Sequence, residues 1–185
     1  MRVIAGKARR IQLKSMEGMN TRPTTDRIKE TLFNMLSQDI YGCHFLDLFS
    51  GSGAIAIEAL SRGAKQAVLV EQNRKAVDCI NRNLEFTKLK DKARVITGDC
   101  VAAIDSLERS GLVFDIIFMD PPYGKLLEKQ VLNRLASSGI VDKNTWIIVE
   151  SDLDTEYDYL TDIGYEIDRV KKYKTNKHTF IQEIL

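Results

Sequence analysis

The tetrad Asp120-Pro121-Pro122-Tyr123 contains the residue types that most directly suggest chemistry. It follows the apolar run 114–119, which is typical of a buried parallel strand. Ligands bind at the carboxyl ends of strands in open α/β sheets, so the tetrad is predicted to lie at a binding edge. Because prolines have no N–H donor, the carboxylate and the local carbonyls form a cleft that only accepts hydrogen bonds. With a tyrosine ring for stacking, this predicts a site for the amino group of a base; the simpler alternative is a strand-ending turn that buries the tyrosine.

A second candidate group begins with the segment Asp47–Gly53, whose glycines allow a ligand to approach the backbone at the start of a helix. Glu71 ends the next predicted strand, where an acid can hold ribose hydroxyls, and Asp99 ends the third, where it can accept from an adenine amino group. Asp47 would repel a pyrophosphate but suits a ligand with an ammonium and a sulfonium, such as S-adenosylmethionine. We therefore predict S-adenosylmethionine as the cofactor, bound by Asp47, Phe49, Ser50, Gly51, Gly53, Glu71, Asp99, Cys100 and Asp120.

The charges of the chain are strongly segregated although the formal net charge is only +1. Residues 1–29 carry +6 and residues 169–185 carry +4, which leaves −9 on residues 30–168. Basic patches neutralise phosphates and position a nucleic acid, whereas the alternative is an unevenly charged but merely solvated surface. We predict contacts to nucleic-acid phosphates from Arg2, Lys7, Arg9, Arg10, Lys14, Arg22, Thr24 and Arg27 and from a second patch of Lys171, Lys172, Lys174 and Lys177.

Length and composition predict one cytoplasmic domain with a small appendage. The chain has 185 residues, and no apolar run approaches the roughly 18 residues of a membrane span. Its first residues become charged too early for a signal peptide. Three widely spaced cysteines and two histidines, His44 and His178, form no metal-ligand pattern, so no metal is predicted. Nothing in the sequence requires an interface, and we expect a monomer.

The hydrophobic pattern alternates strand and helix, which predicts an α/β fold with a parallel sheet covered by helices on both faces. The predicted strands are 45–49, 66–71, 93–97, 114–119 and 145–150, and the helices are 53–62, 74–86, 101–109, 126–137 and 154–162. Segments 165–173 and 178–185 predict an antiparallel edge hairpin with its turn at Lys174–Lys177. Residues 1–20 are predicted to be a basic β arm with one or two strands, and residues 21–185 the main domain.

The candidate residues also carry a family resemblance. Asp47–Gly53, Glu71, Asp99 and Asp120–Tyr123, in this order, resemble the class I S-adenosylmethionine-dependent methyltransferases that modify amino groups. Three further segments look like the RsmD family, namely Met1–Lys7, Thr21–Arg27 and Glu58–Ala64. The resemblance covers essentially the whole chain. Departures from the family pattern are Ala56, the pair Arg9-Arg10, and Asn176 in the last turn, where glycine is usual; Arg9 and Asn176 are expected to alter the RNA-facing surface.

The RsmD family methylates the N2 amine of one guanine in 16S ribosomal RNA in bacteria. The resemblance therefore implies a Rossmann-like class I fold with a mostly parallel seven-stranded sheet, S-adenosylmethionine as cofactor, and 16S ribosomal RNA or the 30S subunit as partner. It implies that Asp120, Pro121, Pro122 and Tyr123 are catalytic, with the Asp120 carboxylate and the Pro121 carbonyl orienting the amine.

Other functions remain open at this point. The main alternatives are an adenine-N6 methyltransferase acting on RNA or DNA, and a non-catalytic RNA-binding protein with a methyltransferase fold. A nicotinamide-dependent oxidoreductase would leave the tetrad unexplained. Methylation of a base carbon usually needs a cysteine after proline, and glutamine methyltransferases typically have asparagine in place of Asp120.

Overall fold

The computed structural model describes residues 1–15 and 26–184. Within them the chain forms five α-helices and seven strands in the order α1 Asp26–Met35, β1 His44–Asp47, α2 Ala54–Ser61, β2 Gln66–Glu71, α3 Arg74–Thr87, β3 Ala93–Thr97, α4 Cys100–Glu108, β4 Ile116–Met119, α5 Leu127–Ala136, β5 Trp146–Asp152, β6 Tyr165–Lys172 and β7 Asn176–Glu183. None of the helices in these ranges has both the length and the apolar character needed to cross a membrane.

The seven strands form one sheet in the order β3-β2-β1-β4-β5-β7-β6. The first five are parallel, whereas β7 runs antiparallel to both β5 and β6. The predicted seven-stranded, mostly parallel sheet with an antiparallel edge hairpin is therefore confirmed. Strand order reverses between β1 and β4, which is the point where open α/β sheets form a ligand crevice.

Successive residues of the central strands point into two separate hydrophobic layers, as strand geometry requires. Phe45 and Phe118 pack with α1, α2 and residues 1–15, which form the N-terminal segment. Their neighbours Leu46 and Met119 pack with α4 and α5. All four side chains are essentially fully buried. The strands are thus held from both faces, and their carboxyl ends form a rigid edge.

The N-terminal segment differs from the predicted strands. It contains a single antiparallel bridge between Arg2 and Gln12, and turns occupy the residues between them. Gly6 and Arg10 adopt φ angles of 79° and 71°, in the left-handed region that interrupts extended backbone. A Cβ on Gly6 would lie 1.8 Å from the carbonyl oxygen of Ser61, so only glycine permits this close contact with α2.

Glu58 on α2 holds the N-terminal segment in place. Its carboxylate accepts hydrogen bonds from the backbone N–H groups of Ile4 and Ala5 at 2.8 and 3.0 Å. It also forms an ion pair with Lys29 Nζ on α1 at 3.1 Å, and both side chains of this pair are fully buried. The three parts of the chain that meet at Glu58 are therefore joined through one buried carboxylate.

The predicted helix 154–162 is wrong, because this segment consists of turns followed by a single 3-10 turn at Thr161–Ile163. Lys177 Nζ donates hydrogen bonds to the carbonyl oxygens of Leu153 and Thr155 at 2.9 and 2.6 Å. These are carbonyls at the start of the predicted helix. The apolar spacing that predicted a helix instead places buried residues on turns.

The turn of the edge hairpin is shorter than predicted. β7 begins at Asn176 instead of His178, because Asn176 and Lys177 already pair with Asp152 and Ser151 of β5. The start of β7 consequently lies at the carboxyl end of β5, on the same edge of the sheet as the residues that follow β4.

Candidate active site

A cavity of about 570 Å³ lies at the carboxyl ends of the parallel strands. Its wall is built from residues at and after the ends of β1, β2, β3 and β4, on both sides of the point where strand order reverses. Cavities of this volume are typical of small-molecule and cofactor sites.

The structure brings most of the predicted site residues together in this cavity. Those that line it are Asp47, Phe49, Ser50, Gly51, Glu71, Asp99, Cys100, Asp120 and Pro122. Gly53, Pro121 and Tyr123 are not among the lining residues. Gly53 caps α2, where a Cβ would meet side-chain atoms of Leu69 and Ile57 at 3.2 and 3.4 Å, so its role here is close packing.

Asp47 is the most deeply buried acid of the cavity, with 1% of its surface exposed. Burial raises its pKa to about 7, and the nearby charge of Glu71 acts in the same direction. The carboxylate accepts a hydrogen bond from the backbone N–H of Phe49 at 3.3 Å, which opposes this rise. A positively charged ligand group beside Asp47 would be strongly attracted once the carboxyl is ionised.

The other two strand-end acids organise the loops of the cavity. The two carboxylate oxygens of Glu71 accept from the backbone N–H groups of Gly51 and Asn73 at 2.9 and 2.8 Å. Asp99 caps α4 by accepting from two backbone N–H groups of its first turn at 2.9 and 3.2 Å, both through Oδ1. Carboxylate oxygens have further lone pairs, so these contacts leave both acids able to accept from a ligand.

Asp120 follows β4 and faces the cavity from the side opposite Glu71. Its pKa is raised well above the usual range by burial and by the charges of Glu150 and Asp47. The adjacent Pro121 is buried, and Tyr123 has 43% of its surface exposed. The alternative of a turn that buries the tyrosine is therefore wrong, because the ring lies at the surface.

Several lining residues were missed by the sequence interpretation. Gln72, Asn73, Gly98 and Leu127 adjoin predicted elements or site residues, so their position along the chain was an available signal. Met1 and Ser15 come from the N-terminal segment, and no pattern in the sequence indicates this.

The N-terminal segment reaches the cavity through Asn83 of α3. The backbone N–H of Lys14 donates to Asn83 Oδ1 at 2.9 Å, and Asn83 Nδ2 donates to the carbonyl oxygens of Lys14 and Ser52 at 3.0 and 2.9 Å. One buried amide thus connects the N-terminal segment to the glycine-containing loop.

Most of the predicted RNA contacts that the structure describes are exposed. The exposed residues are Lys7, Arg9, Arg10, Lys14, Arg27, Lys171, Lys172 and Lys174. Arg2 is exposed but forms an ion pair with Asp26 at 3.1 Å. Arg22 and Thr24 lie outside the described residues. Lys177 and Asn176 are buried, so the predicted phosphate contact of Lys177 and the predicted surface role of Asn176 are both wrong.

The sheet order, the antiparallel last strand and the cavity at the strand reversal define a class I methyltransferase fold. The structure of a SAM-dependent methyltransferase from Agrobacterium tumefaciens has the same fold, with a TM-score of 0.65 at 18% identity over 88% of this chain and 63% of that one. A hypothetical protein from Thermus thermophilus is closer, with a TM-score of 0.83 at 30% identity over 97% of this chain and 98% of that one.

Sequence comparisons then specify the family. Residues 1–182 match the family model described as conserved hypothetical protein 95. The ribosomal RNA small subunit methyltransferase D of Escherichia coli strain K12 is 37% identical over 154 residues, which cover 83% of this chain and 76% of that protein. The chain belongs to this family, the RsmD family of S-adenosylmethionine-dependent methyltransferases, so the family and the cofactor predicted from the sequence are confirmed at family level.

Proposed function

We propose that this protein transfers a methyl group from S-adenosylmethionine to the N2 amine of a guanine in 16S ribosomal RNA, on the 30S subunit or an assembly intermediate. The observation that carries the proposal is that Asp120 shares one cavity with Asp47, Glu71 and Asp99. A cofactor held by those acids would therefore lie next to an acceptor for an amine. The name of the Escherichia coli relative, a methyltransferase of small subunit ribosomal RNA, supports the choice of RNA.

The cavity suits S-adenosylmethionine in size and charge. A loop with Gly51 at a φ of 53° and space around it allows close approach to the backbone, and the acids of the cavity, with Asp47 buried among them, suit a ligand with two cationic groups. When bound, the cofactor supplies a methyl group on a sulfonium whose sulfur leaves as a neutral thioether. Burial raises the pKa of the Cys100 thiol to about 11, so this cavity residue stays neutral and is no thiolate nucleophile.

The residues after β4 would position the guanine amine for methyl transfer. The lone pair of the guanine amine is delocalised into the ring, so it must be turned toward the methyl group. Hydrogen bonds from the amine to the Asp120 carboxylate and the Pro121 carbonyl would orient it and disperse the positive charge that develops on nitrogen. The exposed ring of Tyr123 offers a stacking surface for a base removed from its neighbours.

Cofactor affinity should depend on pH through Asp47. Because the pKa of Asp47 is about 7, its carboxyl is largely protonated in the free protein at about pH 6.0 and largely ionised at about pH 7.5. We therefore expect the affinity for S-adenosylmethionine to rise several-fold over this range. Asp47→Asn should lower the affinity and abolish the rise, measured by isothermal titration calorimetry. The exposed Asp78→Asn serves as the matched control; an unchanged rise in Asp47→Asn would contradict the assignment.

RNA binding should depend on the basic N-terminal segment. A triple Ala variant at Lys7, Arg9 and Arg10 should bind 16S RNA more weakly, with the log–log salt slope reduced by about 0.7 for each phosphate that the variant no longer neutralises. The matched control is a triple Ala variant at the exposed residues Lys65, Lys92 and Lys143, which precede β2, β3 and β5 at the opposite edge of the sheet. Equal salt slopes in the two variants would refute the assignment.

The test of the function uses tritiated S-adenosylmethionine with 30S subunits from cells that lack their own enzyme, followed by nucleoside analysis. Free 16S RNA and DNA are assayed in parallel. We expect label in N2-methylguanosine. Label in N6-methyladenosine would show that the substrate base is adenine and not guanine. Cofactor binding without label in any nucleic acid would refute the proposal.

A further inference from the structure

A buried polar cluster lies at the start of β7, outside the lining of the cavity. Glu150 on β5 accepts hydrogen bonds from Asn176 Nδ2 at 2.6 Å and lies 3.0 Å from His178 Nε2. The other ring nitrogen of His178 lies 3.2 Å from the hydroxyl of Tyr173. Glu150 and Asn176 are almost completely buried, and His178 has no exposed surface.

The hydrogen bonds of the cluster have a consistent direction. Burial and the charge of Glu150 raise the pKa of Tyr173 to about 12, so its hydroxyl keeps its proton and can donate to Nδ1 of His178. Nε2 then carries the ring hydrogen and donates to Glu150. Together with Asn176, this gives Glu150 two N–H donors, which stabilise a negative charge on it.

Sheet register places this charge beside Asp120. Met119 of β4 is paired with Val149 of β5, so Asp120 and Glu150 are the next residues along two adjacent parallel strands. In-register residues of neighbouring strands point to the same side of a sheet. The other charged group that acts on Asp120 is Asp47, which ends β1 on its far side. Asp120 therefore lies between two carboxyl groups, one of which is held by dedicated donors.

We propose that Glu150 is a positioning residue for methyl transfer, because the cluster of Tyr173, His178 and Asn176 fixes its charge next to Asp120 and makes Asp120 the acceptor of the proton that the amine loses. This inference rests on the proposed function. In the step, the nitrogen lone pair forms the N–C bond, the C–S electron pair passes to sulfur, and the N–H proton moves to the Asp120 carboxylate. The proton then leaves to water, which restores the ionised acid.

The test compares Glu150→Gln with wild type in two measurements. The first is the titration of the Asp120 carboxyl by ¹³C NMR on cofactor-free protein, with its signal identified by its loss in Asp120→Asn. The second is the pH–rate profile of single-turnover methyl transfer. We expect Glu150→Gln to lower both midpoints by about one pH unit and to reduce the plateau rate by about tenfold.

Two further variants separate this role from a structural one. Glu166→Gln removes the same charge from an exposed position on β6 and should leave both midpoints unchanged. Asn176→Ala removes one donor from Glu150 but keeps the Glu150 carboxylate. It should therefore lower both midpoints by a smaller amount than Glu150→Gln does. If Glu150→Gln does not fold, Asn176→Ala provides the test.

Each outcome has a defined meaning. An Asp120 midpoint that is unmoved in Glu150→Gln and Asn176→Ala overturns the inference, and so does a lowered plateau rate with an unmoved acid limb. Absence of methyl transfer by the wild-type protein would instead overturn the proposed function. The NMR titration separates the two failures, because it needs no substrate.

Discussion

Asp120→Asn should reduce the rate of methyl transfer about 10³-fold while changing cofactor affinity less than about tenfold. The amide that replaces the carboxylate keeps one carbonyl acceptor but loses the second acceptor oxygen and the negative charge, which would otherwise stabilise the positive charge that develops on nitrogen. We expect this loss in single-turnover assays with tritiated S-adenosylmethionine at saturating RNA, where binding differences no longer contribute.

The variant should also remain folded, which separates chemistry from stability. A carboxyl with a raised pKa stabilises the folded state below its unfolded pKa and loses that contribution as pH rises through the folded value. Asp120→Asn should therefore change the melting temperature of the cofactor-free protein more favourably at about pH 8 than at about pH 5. Asp91→Asn, an exposed aspartate far from the cavity, is the control. Near-normal turnover by Asp120→Asn would eliminate the proposed catalytic role.

Glu58→Gln should lower the free energy of unfolding by about 3–5 kcal/mol, because it leaves the buried ammonium of Lys29 without a counter-charge. Burial already lowers the pKa of Lys29, and the charge of Glu58 opposes this effect. Two N–H groups of the N-terminal segment would also lose a strong acceptor. Chemical denaturation monitored by circular dichroism measures the change.

A double variant tests the reason for this loss. Glu58→Gln combined with Lys29→Met removes both charges and should recover a large part of the lost stability. Glu85→Gln breaks the exposed pair with Lys90 and should leave stability nearly unchanged. If Glu58→Gln costs no more than Glu85→Gln, the buried pair does not hold α1 and α2 together as described.

The sequence was sufficient for features that depend on local pattern. The buried strand β2 is a continuous apolar run and was predicted at its observed bounds, as was β3, whose residues are only partly buried or exposed. The polar residues at the ends of these strands marked the cavity. The predicted helix 154–162 does not form, and a distant lysine side chain, Lys177, competes for the carbonyls of Leu153 and Thr155 where that helix would begin. That competition depends on tertiary contacts, which the spacing of hydrophobic residues does not indicate.

Charge patterns were informative about surfaces but not about individual residues. The basic ends of the chain did yield exposed lysines and arginines, yet Lys177 and Lys29 belong to the same segments and are buried. Whether a lysine is solvated or paired depends on which acid or carbonyl the fold brings to it. The contribution of Met1 and Ser15 to the cavity was unpredictable for the same reason, because it depends on where the fold places the N-terminal segment, whose Lys14 is bound by the distant Asn83.

The reversed direction of β7 has a consequence for how a bulky substrate can approach. The turn between β6 and β7 lies at the carboxyl end of β5, so its residues form a rim beside Asp120, the proposed acceptor of the amine. The height of that rim is set by the number of residues in the turn, which can change without altering the sheet. The number of residues in this turn therefore limits how closely a large, rigid particle can approach the cavity.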